Sequence, residues 1–269
     1  MSKIEWTEST WNPIVGCTII SPGCTNCYAM RMAFRCEHMG QTHYIGTTKR
    51  VKDNIVWTGV LRRAPDHIVT KPLKVRRPTV WFVNSMSDLF HEDADPAWVV
   101  EVIEIMARTP HHTYQVLTKR PEVAAAFFGR HGAIWPDNAW LGISVEDAAR
   151  KARIEVLRHF PARIRFLSVE PLLGPVGELD LAGINWVITG GESGPGARLC
   201  RPEWVREVRD QCVAAGVAYF HKQWGQPDNN PLVADKPPGM PLAKWIKEVD
   251  PHGKGGALLD GRLWREFPE

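Results

Sequence analysis

Six residues separate Cys17 from Cys24, and two separate Cys24 from Cys27. Thiolates are soft ligands that suit zinc and iron–sulfur clusters. Three of them on one short stretch mark a metal or cluster site. A three-thiolate [4Fe–4S] cluster has one iron without a protein ligand, and that iron is open to bind and activate a small molecule. Pro22 and Gly23 force a turn that lets Cys24 and Cys27 converge with Cys17. A helix is expected from Tyr28 to about Met39. Its first N–H groups lack helical partners and favour the negative charge of a cluster. Structural zinc is the competing reading; it needs a fourth ligand, from Cys36 or His38. No second C-x-x-C pair is present. Cys200 and Cys212 stand alone and read as packing residues.

The elements that must hold this loop are legible as an alternation. Apolar runs at 79–83, 112–117, 140–143, 164–167, 184–188 and 217–220 read as strands. Helical patterns lie at 96–108, 122–128, 147–159 and 203–215. Strand followed by helix, repeated, builds a parallel sheet with covering helices. Six or more units predict an α/β fold, a partial or closed parallel β/α barrel. Residues 11–15 are the candidate first strand, short or irregular because of Pro13. Small polar or charged residues follow nearly every strand: Ser85, Thr118, Ser144, Ser168, Glu170, Glu192 and Lys222. In β/α barrels the C-terminal strand ends line the active site. Each Ser or Thr taken singly reads equally well as a helix cap.

The chain has 269 residues, of which 44% are hydrophobic and 23% charged, which is ordinary globular composition. One barrel domain is expected over 1–225, with an insertion at about 37–78 and a wrapping tail over 226–269. The N-terminus shows no apolar signal region and no run is long enough for a membrane span, so a cytoplasmic protein without a membrane partner is expected. Six cysteines in this class of chain argue for metal or catalytic use, not a disulfide framework. Most of the 12 tryptophans are expected in the core. Charge is uneven. Residues 49–77 hold nine Lys and Arg against two Asp, a local +7 in a chain of net +3. Lys49, Arg50, Lys52, Arg62, Arg63, Arg76 and Arg77 are therefore candidate nucleic-acid contacts, with Tyr44 and Trp57 placed to stack on bases. A solvated insertion is the bland alternative.

The chain resembles the three-cysteine-motif family found in phages and bacteria, a family long of unknown function. The matching stretches are Glu5-Trp-Thr with Thr10-Trp-Asn-Pro13, the cysteine loop 16–29, Asn84-Ser-Met-Ser-Asp-Leu-Phe90, Leu117-Thr-Lys-Arg-Pro121, the segment 168–174, Gly190-Gly-Glu-Ser-Gly194 and Lys222-Gln-Trp-Gly225. That family is similar to divergent radical S-adenosylmethionine (SAM) enzymes such as spore photoproduct lyase. Those use a partial β/α barrel with three cysteines after the first strand, usually spaced C-x-x-x-C-x-x-C. Here the first gap is six residues. The Gly-Gly-Glu expected after the second strand is replaced by Asn84-Ser-Met-Ser-Asp88, and a Gly-Gly-Glu stands at 190–192 instead.

The resemblance implies that Cys17, Cys24 and Cys27 bind a [4Fe–4S] cluster. SAM would chelate the open iron and be cleaved to a 5′-deoxyadenosyl radical, with electrons from a reductant protein. Tyr28, Asn84, Ser85, Asp88, Ser144, Glu170, Gly190, Gly191 and Glu192 are the candidate cofactor contacts. Lys119, Arg120, Glu146 and Lys222 are candidates for catalysis or for binding a substrate carboxylate or phosphate. The alternative for the cations is a buried ion network with Glu146, Glu170 and Glu192. DNA or a nucleotide is the leading substrate, with repair or base modification as the reaction. A small metabolite and a non-catalytic, zinc-stabilised DNA-binding protein are the other two readings.

Overall fold

The computed structural model describes residues 4–234 and 236–269. The first three residues of the segment read for a signal region, and Asp235 of the tail, lie outside the described residues. The elements in chain order are β1 (Ser9–Trp11), β2 (Ile14–Val15), α1 (Tyr28–His38), β3 (Thr48–Val51), β4 (Asn54–Trp57), β5 (Arg62–Arg63), α2 (Asp66–Val69), α3 (Lys71–Lys74) and β6 (Val80–Val83). Then come α4 (Pro96–Arg108), β7 (Thr113–Thr118), α5 (Pro121–His131), β8 (Ala139–Ser144), α6 (Ala152–Arg158), β9 (Arg165–Val169) and β10 (Trp186–Gly190). The chain ends with α7 (Pro202–Ala215), β11 (Ala218–Gln223), α8 (Leu242–Val249), β12 (Leu258–Leu259) and β13 (Arg262–Leu263). Seven parallel strands form one sheet in the order β1-β6-β7-β8-β9-β10-β11. The fold is thus α/β, a partial parallel β/α barrel; β1 and β11 remain edges and do not close it.

The helix and strand patterns fall where the apolar periods place them, within a few residues. Helix α4 runs over Pro96–Arg108, with Asp95 accepting from the Ala97 amide as its N-cap and Pro96 at the first position. One expectation, an irregular first strand, holds, and one is corrected. The first strand is not continuous over 11–15. Pro13 interrupts it, so β1 ends at Trp11 and pairs with β6, while β2 turns away to pair antiparallel with β5. The helix expected over 147–159 is a 3-10 turn at Ala148–Arg150 followed by α6.

The chain divides into two compact units, 1–143 with 159–164, and 144–158 with 165–269. In the first unit the sheet core is Trp11, Trp81, Val83, Tyr114 and Val116, each at most 2% exposed. A second apolar cluster joins Val15, Ala29, Met30, Ala33, Tyr44, Trp57 and Met86, and Cys17, Cys27 and Cys36 pack against it. This cluster fixes the β3–β4 hairpin to α1. It also corrects the reading of Tyr44 and Trp57 as base-stacking residues. Their rings are 5% and 8% exposed, because they supply the apolar contact that holds the hairpin down.

In the second unit, Phe166, Trp186 and Phe220 pack tilted and edge-to-face in sequence along β9, β10 and β11. The chain's last residues close on them: Phe267 packs on Trp186 and Phe220, and the Trp186 indole donates to the Glu266 carbonyl. Cys200 and Cys212 are fully buried packing residues, with pKa values pushed up to about 12 by burial. Seven of the 12 tryptophans are buried, as expected for core residues. Among the described residues no helix is long and apolar enough to cross a membrane.

Candidate active site

In the first unit the cysteine loop is anchored at its entry by the turn that follows β6. Asn12 Oδ1 accepts from Ser85 Oγ (3.0 Å) and from the Met86 amide (3.1 Å). Ser87 Oγ donates to the Ile14 carbonyl, and the Gly16 amide donates to the Met86 carbonyl. Gly16 has φ +95, and a Cβ there would meet the Val60 carbonyl oxygen at 2.1 Å, so only glycine lets the chain pass. Cys17 follows directly. A 3-10 turn over Pro22–Cys24 then reverses the chain, and the Cys27 amide closes on the Cys24 carbonyl. Cys27 is the N-cap of α1.

The three thiols are electrostatic neighbours. Cys17 is pushed up to about 12 by burial and the Asp88 carboxylate, with Arg120 opposing and Cys27 adding to the rise. Burial also raises Cys27. The Ala29 and Met30 amides at the start of α1 and the Lys119 charge pull it back, while Cys24 pushes it further up. Cys24 is buried, with Ser21 Oγ 3.6 Å from its sulfur. Burial thus disfavours the thiolate of Cys17 and Cys27 in the free loop, and the thiolate is both the nucleophilic and the metal-binding form.

Among the described residues no three His, Cys, Asp or Glu side chains are arranged to hold one metal ion. A single zinc draws all its sulfurs to about 2.3 Å from one point. A cluster places each thiolate on a different iron, so the sulfurs stay apart. Beside the thiols stand the N-terminus of α1 and the Lys119 and Arg120 charges. Of the zinc reading's extra ligands, Cys36 packs on the apolar cluster and His38 Nδ1 donates to the Phe34 carbonyl.

Arg120, the N-cap of α5 and 5% exposed, reaches Cys17 Sγ at 4.0 Å. The same guanidinium donates to Thr18 Oγ1, to Asp88 Oδ2 at 3.1 Å and to Glu92. Burial works against its charge, yet Asp88 and Glu92 outweigh that and raise its pKa. Asp88 accepts four bonds: from Thr118 Oγ1 and the Phe90 amide on one oxygen, and from the Lys119 amide and Arg120 on the other. Asp88 and Arg120 are thus engaged in joining the ends of β6 and β7 behind Cys17. Thr18, His91 and Glu92 complete this layer without any sequence signal of their own. His91 Nδ1 accepts from the Asp93 amide, which leaves Nε2 to donate to Thr18 Oγ1 at 2.9 Å.

Asn84 differs from these. It sits at φ +56, its amide donates to the Trp11 carbonyl, and its Oδ1 faces the Ile14 amide at 3.4 Å. Its Nδ2 is buried and has no hydrogen-bond partner. A buried donor left unmet costs about 1–3 kcal/mol. Tyr28, half exposed, donates to the Ser85 carbonyl.

The second unit holds the remaining candidates. Glu146 is fully buried and bonds Arg153 at 3.0 Å; the same nitrogen caps the Ser144 carbonyl at 2.8 Å. Glu170 pairs with Lys222. Glu192 accepts from the Arg198 amide, Nε and Nη2. The ion-network alternative for Lys222 is the arrangement observed. Gly190 ends β10 where the register with β11 shifts. A Cβ on Gly191 would lie 2.0 Å from the Trp224 carbonyl oxygen, and one on Gly190 would lie 3.2 Å from the Glu170 carboxyl. Close approach of neighbouring chain requires the Gly191 glycine. Ser144 and Ser168 are buried beside this layer. Arg153 and Arg198, which neutralise two of the acids, carried no motif that marks them.

Of the basic insertion, Lys49, Arg50, Lys52, Arg62, Arg76 and Arg77 are exposed. Arg63 is half-buried; it is held by both Glu101 oxygens at 2.7 Å and by Asp66.

A partial parallel β/α barrel whose first strand leads into a three-cysteine loop defines the class of protein. The chain belongs to the family described as protein of unknown function (DUF5131), which matches residues 1–268. No curated protein matches it. Among solved structures it is similar to spore photoproduct lyase complexed with dinucleoside spore photoproduct, at 12% identity and a TM-score of 0.40. That likeness covers 74% of this chain and 59% of the other, so it spans less than two thirds of the neighbour's length.

Proposed function

We propose that the protein is an iron–sulfur enzyme of the radical SAM type, acting on DNA or nucleotides in repair or base modification. The observation that carries the reading is the loop itself: three neighbouring cysteines, with Cys27 at the N-terminus of α1 and Cys17 facing Arg120. Cys17, Cys24 and Cys27 would hold a [4Fe–4S] cluster. With SAM bound and one electron from a reductant, such a cluster would supply radical chemistry for removing a substrate hydrogen.

The chain's own residues do the positioning. Asn12 and the turn Asn84–Ser87 fix where the loop leaves β2. Arg120, braced by Asp88, faces the Cys17 sulfur and offsets its negative charge once the proton is lost. The start of α1 does the same for Cys27. Asn84 Nδ2 offers a donor to a bound carboxylate or carbonyl. The exposed Lys and Arg of the insertion support a polyanionic substrate. A reductant protein supplies the electrons.

Anaerobic reconstitution with iron and sulfide, then dithionite and SAM, is the test. The expected result is release of 5′-deoxyadenosine, lost in Cys27→Ser. A reconstituted protein that binds zinc and no iron would overturn the reading.

A further inference from the structure

A groove of about 460 Å³ opens in the first unit, lined by Thr42, His43, residues 61–65 and Trp98. One wall is the 3-10 turn Thr42–Tyr44, which precedes the basic hairpin; the other is the first turn of α4. His43 and Trp98 are both half-buried rings. Burial and the nearby His67 lower the pKa of His43, so at neutral pH it is an uncharged flat ring. Arg63, which lines the groove, is held by two carboxylates, Glu101 and Asp66. Arg62 is different. It is exposed, its Nε donates to the Ile45 carbonyl, and among the described residues it has no carboxylate partner. The groove thus offers two flat rings and one guanidinium without a carboxylate partner among the described residues.

That combination matches one nucleotide: a base has a face to stack, and its phosphate takes a fixed guanidinium. The surroundings choose the source. The turn that carries His43 runs directly into β3, and the hairpin exposes Lys49, Arg50 and Lys52. A chain of phosphates is served by such a row, a free nucleotide is not. The groove is also joined to the cysteine loop by backbone pairing. Arg62 pairs with Val15 and Arg63 with Ile14, two and three residues before Cys17. We propose that this groove holds one unstacked nucleotide of a single-stranded nucleic acid, its base on Trp98 and His43 and its phosphate on Arg62, in fixed register with the cysteine loop. This rests on the nucleic-acid reading above and adds a site and a strand form to it.

The test is equilibrium binding of a labelled oligothymidine of about ten nucleotides to the full reconstituted chain over a salt series. Trp98→Leu should weaken binding about tenfold with the salt slope unchanged, because stacking carries no counterion release. Trp98→Phe should restore it. Arg62→Gln should lower the slope by about 0.7. Lys247→Gln, on helix α8 of the second unit, should change nothing. Folding of each variant is checked by thermal unfolding, and if Trp98→Leu does not fold, Trp98→Phe and Arg62→Gln decide. Salt-dependent binding that neither the Trp98 nor the Arg62 variant alters would overturn the groove and leave the nucleic-acid reading standing. No binding of any strand would overturn both. Thymidine monophosphate bound as tightly as the strand would overturn the strand form.

Discussion

The two units put similar residues at their strand ends and use them differently. In the second unit the acids Glu146, Glu170 and Glu192 are each matched to a cation, Arg153, Lys222 and Arg198. In the first unit the matched pair, Asp88 with Arg120, is aimed past itself at the Cys17 sulfur, and Asn84 keeps a buried donor unmet. A satisfied network rigidifies; an unsatisfied one is held for something else. The difference teaches that an unmet bond is a candidate for ligand contact where it lies beside the entry to the cysteine loop, whereas the unmet His221 Nε2 of the second unit is enclosed beside Thr189 and Trp224.

The sharpest way to break this comparison is to cut one pair in each unit. Asp88→Ala removes the brace behind Cys17, and cluster retention under a chelator should fall by about 10- to 100-fold. Glu146→Ala leaves Arg153 unpaired against a fully buried position, and should cost about 3–5 kcal/mol in denaturant unfolding. Its iron content per folded chain should not change. Equal iron loss in both variants would erase the distinction between the units.

A smaller effect separates packing from ligand contact at the glycine pair. Gly191→Ala should destabilise by about 1–3 kcal/mol, since the added methyl meets the backbone at Trp224. At Gly190 the obstacle is the flexible Glu170 side chain, and the unfolding midpoint should move less. If Gly190→Ala leaves stability intact but abolishes SAM binding in calorimetry, the pair belongs to the cofactor site after all.

At neutral pH the smallest effect is the one that appears as a pH slope in the second unit. His221 is fully buried with no partner for Nε2, and burial, then Arg265, lowers its pKa to about 3. The unfolded chain takes a proton near pH 6.5 that the folded chain refuses until about 3. Stability is therefore full above that window and falls as pH drops through it, by about 1.4 kcal/mol per pH unit from this group. His221→Asn should flatten that part of the urea-midpoint profile. An unchanged slope would mean that His221 is protonated in the fold.

The fold was largely legible because apolar period and strand length agree: α4 and β6 to β11 follow directly from their runs. The break at Pro13 was visible as a poor strand, but the turn of β2 toward β5 was not, since it depends on pairing across distant chain. The cysteines, Asp88 and Arg120 were readable as types. Their roles were not, because Arg153, Arg198, Thr18 and His91 complete the networks from positions without a motif. Tyr44 and Trp57 misled for a physical reason: aromatic residues next to charge stack on bases or anchor a hairpin, and only burial distinguishes the two. His43 and Trp98 meet at the groove through the tertiary fold alone.

The most direct test of the central claim is electron paramagnetic resonance of the anaerobically reconstituted, reduced protein before and after SAM is added. The account predicts about four irons per chain and a cluster signal that SAM perturbs, both lost in Cys17→Ser, Cys24→Ser and Cys27→Ser but kept in Cys36→Ser. A single zinc per chain, or a cluster signal indifferent to SAM, would contradict it.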